Sequence, residues 1–395
     1  MRKTLKPRER VRRALAHQEV DRVPIDLGGT QNSTMCVGAY AGFCQYLGVA
    51  AQPRILSLAL DTVEMDEAVL RRLPVDTRLV VAKPPKQTKT RWADHREASC
   101  EERTFIDDWG ITLHQPDHWR QFDMVAHPLA KASVGDIEPY DWPNVEDEAR
   151  YAGLRDKAKD LYENTDYAIC GATADSTIFD KAWALRGMQQ FLTDLVLDPE
   201  FALTLLDQVT TIQCKRFACF LAAVGKYIDV IVIGDDMGIQ NGLIMRPQLY
   251  RKMIKPFHTR LIQTIRQHTD ARILNHACGS IVDLVEDYIE LGIDALNQMQ
   301  VGAANMSPQN LKQRFAGRMA FWGGIDTQSL LPKGHPDEIR QAVRETIRIM
   351  DGYKGGYVLG AVHNIQDDVP PENVWAMLDE ARCSTQTIQL LSPRM

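Results

Sequence analysis

The chain of 395 residues is 45% hydrophobic and 25% charged, within the range of folded globular proteins and long enough for one large barrel or two ordinary domains. Its 46 basic and 52 acidic residues leave a net charge of -6, which gives no electrostatic footprint for nucleic acid or an anionic membrane, so chemistry on a small molecule is the default. The longest apolar stretch, "FACFLAAVG" near 217, is too short to span a bilayer, and eight cysteines without a CxxC pair favour a reducing cytoplasm over a disulfide framework.

In chain order, the basic first twenty residues lack the apolar core of a secretory signal and predict an amphipathic surface helix with Val11, Ala14 and Leu15 on one side. "RVPIDLG" (22–28) predicts a strand, and the overlapping "DLGGT" (26–30) lacks the full spacing of a phosphate-binding loop and reads as a glycine turn. Residues 76–146 break into short, polar-punctuated strand-like pieces, "LVVAKP", "TRWADH", "ERTFIDDWGITLHQ" and "FDMVAHPL", which predict an antiparallel insertion folded over one end of the domain. "YDWPNVED" (140–147) then returns the chain to helix.

From about residue 160, short apolar runs alternate with long helical patterns, the signature of parallel strands joined by helical crossovers. The strands are "YAICGA" (167–172), "DVIVIG" (229–234), "RILNHA" (272–277), "DALNQM" (294–299), "MAFWGG" (319–324) and "GYVLGAV" (356–362); helices cover 198–223, 246–269, 280–291 and 336–351. With residues 22–28 this makes seven strands, and one more hidden in the irregular part closes an eight-stranded α/β barrel of the (β/α)8 TIM type, read as a single domain over 1–395.

In such a barrel the C-terminal strand ends form one mouth, and the polar residues gather there. Asp235 and Asp236 follow "DVIVIG", His276 and Cys278 close "RILNHA", Asn297 and Gln298 lie in "DALNQM", Trp322 and Asp326 sit in and after "FWGG", and His363 and Asn364 follow "GYVLGAV". Positions i and i+2 of a strand face the same way, so His276 and Cys278 aim at one point. With His363 they make an N/S donor set suited to Zn²⁺ that leaves a fourth position open. The bland alternative is a packed histidine beside a buried thiol. Asp236 has three readings, as fourth ligand, as a partner orienting an imidazole, or as general acid/base; "GDDMG" also reads as a plain turn with a helix cap. The tryptophans at 109, 183, 322 and 375 read as core or pocket walls.

Six ordered segments resemble the uroporphyrinogen decarboxylase superfamily: "PRERVRRALAHQEVDRVPIDLGG", "STIFDKAWALRGMQQFLTDLVLDPE", "GDDMGIQNGLIMRPQLYRKMIKPFHTRLI", "NHACGS", "FWGGIDTQSLLP" and "GYVLGAVHNIQDDVPPENVWAM". The resemblance implies one of two chemistries. Metal-free decarboxylases of this superfamily hold a tetrapyrrole with an N-terminal arginine motif, where this chain has "PIDLGGTQNST" with no arginine. Zinc methyltransferases pass methyl groups between a corrinoid and a thiol such as coenzyme M, using a His-x-Cys pair and a later Cys. His276 and Cys278 match that pair and His363 stands in for the later Cys, which removes a thiolate and implies a stronger Lewis acid. The resemblance therefore implies a cytoplasmic zinc methyltransferase acting on a small methylated donor, such as a methoxylated aromatic. Asp235 and Asp236 would be catalytic, Gln298, Asn297, Trp322, Asp326 and Asn364 would bind substrate, and His276, Cys278 and His363 would bind metal. The corrinoid (cobalamin) would be carried by a partner protein, since no DxHxxG motif occurs here, and a homodimer is compatible. The alternatives are a decarboxylase using Arg186 and Arg246 to hold carboxylates, and a non-catalytic accessory barrel with a structural metal.

Overall fold

A computed structural model describes residues 4–50, 53–83, 103–117, 121–173 and 175–391. Seven strands, β1 (Thr77–Val81), β2 (Ala168–Ala172), β3 (Val230–Gly234), β4 (Arg272–His276), β5 (Ala295–Asn297), β6 (Ala320–Ile325) and β7 (Tyr357–Ala361), pair side by side in chain order in one sheet. Every pairing in it is parallel. Residues 24–26 fill the gap between β7 and β1. Leu359 N–H donates to Pro24 O at 2.9 Å, Asp26 N–H to Leu359 O at 2.8 Å, and Asp76 N–H to Ile25 O at 2.8 Å. The "RVPIDLG" segment thus occupies the eighth position of a TIM-like barrel.

The alternation expected of barrel strands sorts the side chains. Leu79, Ala168, Cys170, Val230, Val232, Leu274, Ala295, Ala320, Trp322 and Val358 form one buried cluster, joined by Val11 and Leu15 of the helix Pro7–Leu15. The alternate strand positions, among them Val80, Ile169, Ile231, Ile233, Ile273, Leu296, Phe321 and Leu359, belong to the larger core shared with the outer helices. The amphipathic first helix predicted from sequence therefore contributes its apolar side to the barrel interior instead of resting on the surface. It is pinned there by Arg10, buried between Asp21 (2.7 Å) and Asp76 (2.6 Å), while Arg22 also binds Asp76 at 2.7 Å.

Strand β1 lies inside the 76–146 stretch expected to be an antiparallel insertion. "TRLVV" is almost wholly buried and pairs with β2, about ninety positions later; such a long-range parallel partner leaves no local turn signal. The remainder of the stretch does contain an antiparallel sheet, Thr104–Ile106, Thr112–His114 and Asp123–Ala126, whereas "TRWADH" (90–95) lies outside the described residues. The hairpin turn of this sheet is tied to the loop after β2 by Trp109, whose indole N–H donates to Asp175 Oδ2 at 3.0 Å. Lys181 also pairs with Asp175 at 2.8 Å, and Arg216 contacts the same carboxylate.

The helix expected over 246–269 is two helices, Pro247–Met253 and Lys255–His268. Pro256 sits in the first turn of the second, where its missing N–H and its ring prevent continuation of the first. Helix Pro199–Val224 matches its sequence pattern within a residue and begins under an Asp198 cap that accepts from Phe201 N–H at 3.2 Å. No helix among the described residues is long and apolar enough to cross a membrane.

Candidate functional site

His276 ends β4 with its Cα paired to Gly234 of β3 and Asn297 of β5. A Cβ on Gly234 would lie 3.1 Å from His276 Cβ, so glycine on the neighbouring strand gives the imidazole its room. On the other side His276 Nδ1 lies 2.6 Å from Asn297 Oδ1. Because that oxygen can only accept, Nδ1 carries the proton and the Nε2 lone pair is left facing Cys278 Sγ at 3.6 Å. The side chain of Cys278 is placed by a turn: Cys278 N–H donates to Asp236 Oδ1 at 2.7 Å, and Gly279, at φ +80, packs so closely on the backbone of Gly238 that a Cβ would come within 2.5 Å of it. Gln298 Nε2 donates to Cys278 Sγ at 2.9 Å, while its Oε1 is buried without a hydrogen-bond partner among the described residues.

His363 comes from the end of β7, its ring centroid 5.3 Å from that of His276. Burial, reinforced by the neighbouring His276, lowers its pKa to about 4, so its imidazole is neutral at ordinary pH. Among the described residues His276, Cys278 and His363 form a group whose ligand atoms all lie within 4.8 Å of one another. Zinc bonds of about 2.1 Å to nitrogen and about 2.3 Å to sulfur at a tetrahedral angle imply an N···S edge of about 3.6 Å, which is the His276–Cys278 separation. Burial, then the charge of Asp236, raises the Cys278 thiol well above its ordinary pKa. A cation is the element that would reverse this and generate a thiolate. The donor set, its spacing and the locked tautomer of His276 fit a zinc ion.

The other residues singled out in the sequence divide. Asp236 stands outside the three-ligand group, against the Cys278 turn, and its own N–H donates to Asp180 Oδ2 at 2.9 Å. Asp235 has both oxygens engaged: they accept from Thr177 Oγ1 at 2.7 Å, Ile178 N–H at 2.9 Å, Asp180 N–H at 3.0 Å and His258 Nε2 at 2.9 Å. Burial alone would raise its pKa, but the bond to and charge of His258 and these N–H groups outweigh it and hold the carboxyl below the usual carboxylate value. It anchors the start of helix Phe179–Arg186 to the end of β3. Asn297 reaches the site through His276. Trp322 is 1% exposed inside the barrel, its indole donating to buried Asp26 at 2.7 Å, so it forms interior packing and not a pocket wall. Asp326 caps a turn, accepting from the N–H groups of Gln328, Ser329 and Leu330 at 2.9–3.0 Å. Asn364 is buried and accepts from Thr34 N–H at 2.9 Å.

The arginines proposed for carboxylate binding are placed otherwise. Arg186 is buried on Asp194 at 2.7 Å and on the carbonyls of Leu129 and Ala132, each at 2.8 Å, with its guanidinium 3.8 Å from the Phe201 ring centroid. Arg246 is an exposed residue at the start of helix Pro247–Met253. Sequence reasoning missed Asp180, His258 and Gln300. Asp180 is a carboxyl that burial, then Asp235 and Asp236, raises well above its ordinary value; Gln300 Oε1 accepts from Gly279 N–H at 2.6 Å. The signal for Asp180 and His258 was their place within family-like segments, since neither stands at a strand end.

A family model described as uroporphyrinogen decarboxylase (URO-D) matches residues 147–383. A methylated-thiol–coenzyme M methyltransferase of Methanosarcina mazei is 25% identical over 253 residues, 63% of each chain. A uroporphyrinogen decarboxylase of Ralstonia pickettii is 27% identical over 147 residues, 36% of this chain and 38% of the relative. The matches thus span under two thirds of either relative's length. A methyltransferase structure from Methanosarcina mazei superposes with a TM-score of 0.64 over 96% of this chain and 98% of that one at 17% identity, a likeness of fold. The family match covers more than half of the chain and contains all three residues of the His276, Cys278 and His363 group, so the chain belongs to the uroporphyrinogen decarboxylase (URO-D) family.

Proposed function

We propose that this chain is a zinc-dependent methyltransferase that moves a methyl group between a small methylated substrate and a corrinoid carried by a partner protein. The observation that carries the reading is the convergence of His276, Cys278 and His363, from two strand ends, within 4.8 Å at the barrel mouth. Support comes also from the methyltransferase relative and from the binding of Arg186 to Asp194 and backbone carbonyls, which leaves it unsuited to hold a substrate carboxylate.

Zinc in this site would polarise the heteroatom that bears or receives the methyl group and lower the pKa of its conjugate acid. The chain's own residues do the rest. Asn297 holds His276 in one tautomer and orientation. The Gln298 amide stabilises charge on the Cys278 sulfur. Asp236 holds the Cys278 turn in place and is the group within reach to accept or return the proton as the heteroatom gains or loses its methyl. The cysteines described are all free thiols, in keeping with a reducing cytoplasm as the place of action.

The test is metal content by elemental analysis of the reduced protein, beside Cys278→Ser and His363→Ala variants shown to be folded by circular dichroism. About one zinc per chain is expected, lost in both variants, followed by methyl transfer to added cobalamin. A folded wild type that takes up no zinc overturns the proposal.

A further inference from the structure

At the end of the barrel opposite the metal-ligand group lies a cavity of about 820 Å³, within the size range of small-molecule sites. It is walled by the first helix, Pro7–Leu15, by the chain leaving helices Pro199–Val224 and Lys255–His268, and by residues 228–229 and 271–272, which lead into β3 and β4. Parallel strands start at one end of a barrel and finish at the other, so this cavity lies on the floor, away from His276, Cys278 and His363.

The charges on this floor do not cancel. Lys6 is matched by Asp166 at 2.9 Å and Arg13 by Glu9 at 2.8 Å. Asp229, however, is shared between Arg12 at 2.6 Å and Arg8 at 3.6 Å. Asp294, which pairs with Arg272 at 2.6 Å, is shared in the same way with Arg266 at 2.7 Å. Lys226 makes no ion pair among the described residues; its ammonium lies 4.9 Å from the Tyr227 ring centroid. Each shared carboxylate leaves one positive charge over, Lys226 adds a third and Asp270 takes one away, a surplus of two in a chain whose net charge is -6. The cationic heads are within reach of solvent, since the side chains of Arg12, Arg13 and Arg272 are 53%, 44% and 47% exposed. A concave surface focuses field lines, so a surplus of one sign there raises the local concentration of the opposite ion.

We propose that the floor cavity is a second binding site, for a small multivalent oxyanion such as an oligophosphate or a polycarboxylate. Arginine suits either, because its planar fork of N–H donors matches the oxygen pairs of phosphate and carboxylate. A singly charged group would meet only part of the surplus, and no aromatic ring lines the cavity to stack a nucleobase. Barrel enzymes carry out their chemistry at the other end, so the anion is held here as a ligand and not converted. Bound, it ties the first helix, whose Val11 and Leu15 pack into the barrel interior, to the chain entering β3 and β4, and so stabilises the folded state. Nothing in this site depends on zinc or on methyl transfer.

The test is isothermal titration calorimetry of the metal-free full chain at low ionic strength with tripolyphosphate, citrate and orthophosphate; metal is withheld because the first two chelate zinc. Tripolyphosphate or citrate is expected to bind about tenfold or more tighter than orthophosphate and to raise the thermal midpoint; the tighter of the two names the chemistry of the ligand. Lys226→Gln and Arg13→Gln, at exposed positions whose loss leaves the fold intact by circular dichroism, are each expected to weaken binding about three- to tenfold. Asp270→Asn removes a carboxylate from the lining and should tighten binding about two- to fivefold. Cys278→Ser, at the mouth, should leave the affinity unchanged. No saturable binding, equal affinity for orthophosphate, undiminished affinity in both glutamine variants, or weaker binding by Asp270→Asn overturns the proposal. So does loss of binding in Cys278→Ser, which would place the anion at the mouth. Zinc content is measured on separate samples, so a protein that takes up no zinc yet binds the anion sinks the methyltransferase reading and leaves the floor site standing.

Discussion

Replacing Asn297 by leucine, which keeps volume but removes the acceptor, tests whether His276 is held ready for a metal. The 2.6 Å contact between His276 Nδ1 and Asn297 Oδ1 is buried, so Asn297→Leu leaves an imidazole N–H without a partner at a general cost of about 1–3 kcal/mol. That cost falls on the folded protein with or without metal, and cancels from the binding constant. What survives is the loss of a fixed tautomer and ring angle, for which outer-shell changes give about 10–100-fold weaker metal binding, or about 1.4–2.7 kcal/mol. Since part of the effect cancels, the lower end, about tenfold, is the expectation. Competition with a chromophoric chelator measures it, while urea unfolding of the metal-free variant reads the separate loss of stability. Asn297→Asp, which keeps an acceptor and adds negative charge behind the ring, should bind zinc at least as tightly as the wild type. If Asn297→Leu matches the wild type in chelator competition, the account of His276 is wrong.

Asp235→Ala would strand His258 and the N–H groups of Ile178 and Asp180; removing one partner of such a buried pair costs about 3–5 kcal/mol, read as a lowered urea midpoint at neutral pH. The folded pKa of Asp235 lies below its usual 3.8, so its stabilising effect is complete above that value and fades as pH falls through the lower folded one; the deficit of the variant should shrink in acid. Asp180 runs the other way: raised above 3.8, its contribution is complete below 3.8 and lost as pH rises through the folded value, which differential titration of Asp180→Ala against the wild type would display. Gly279→Ala places a methyl within 2.5 Å of the Gly238 backbone at a positive φ, so it should both destabilise the fold by about 1–2 kcal/mol or more and weaken zinc binding, because the Cys278 turn must shift; unchanged zinc affinity would refute the role given to that turn. Asp175→Leu leaves Lys181 and Arg216 buried without their carboxylate and should cost about 3–5 kcal/mol in urea unfolding.

What could be seen in the sequence was what obeys a local rule. The runs "DVIVIG" and "RILNHA" are apolar, β-branched and flanked by helical patterns, and they became β3 and β4. The His-x-Cys pair fell at a strand end, and because parallel strands present their ends together, His363 could be placed beside it from 85 positions away (363 minus 278). Trp322 carried two readings, core or pocket wall, because a strand position does not show by itself which way it faces; it turns into the barrel, beside Asp26. Asp235 and Asp236 are neighbours in the sequence and face different partners in space, which no composition rule separates. Asp180 and His258 were invisible for a related reason: each works through Asp235 or Asp236 across more than twenty positions. β1 was hidden because its partner is not next to it in the chain.

The ring of strands has one seam whose two sides lie more than 300 positions apart in the chain. Ile25 meets Leu359, and Thr34 meets Asn364 across 330 positions. During translation the segment that occupies the eighth barrel position emerges long before β7 and can pair only on its β1 side, through Asp76 and Ile25, until residues 357–361 have followed. The donor set is held to the same schedule, since His276 and Cys278 are in place long before His363. Assembly of the metal-ligand group and closure of the barrel are therefore one late event, and a chain halted before its last strand would lack both.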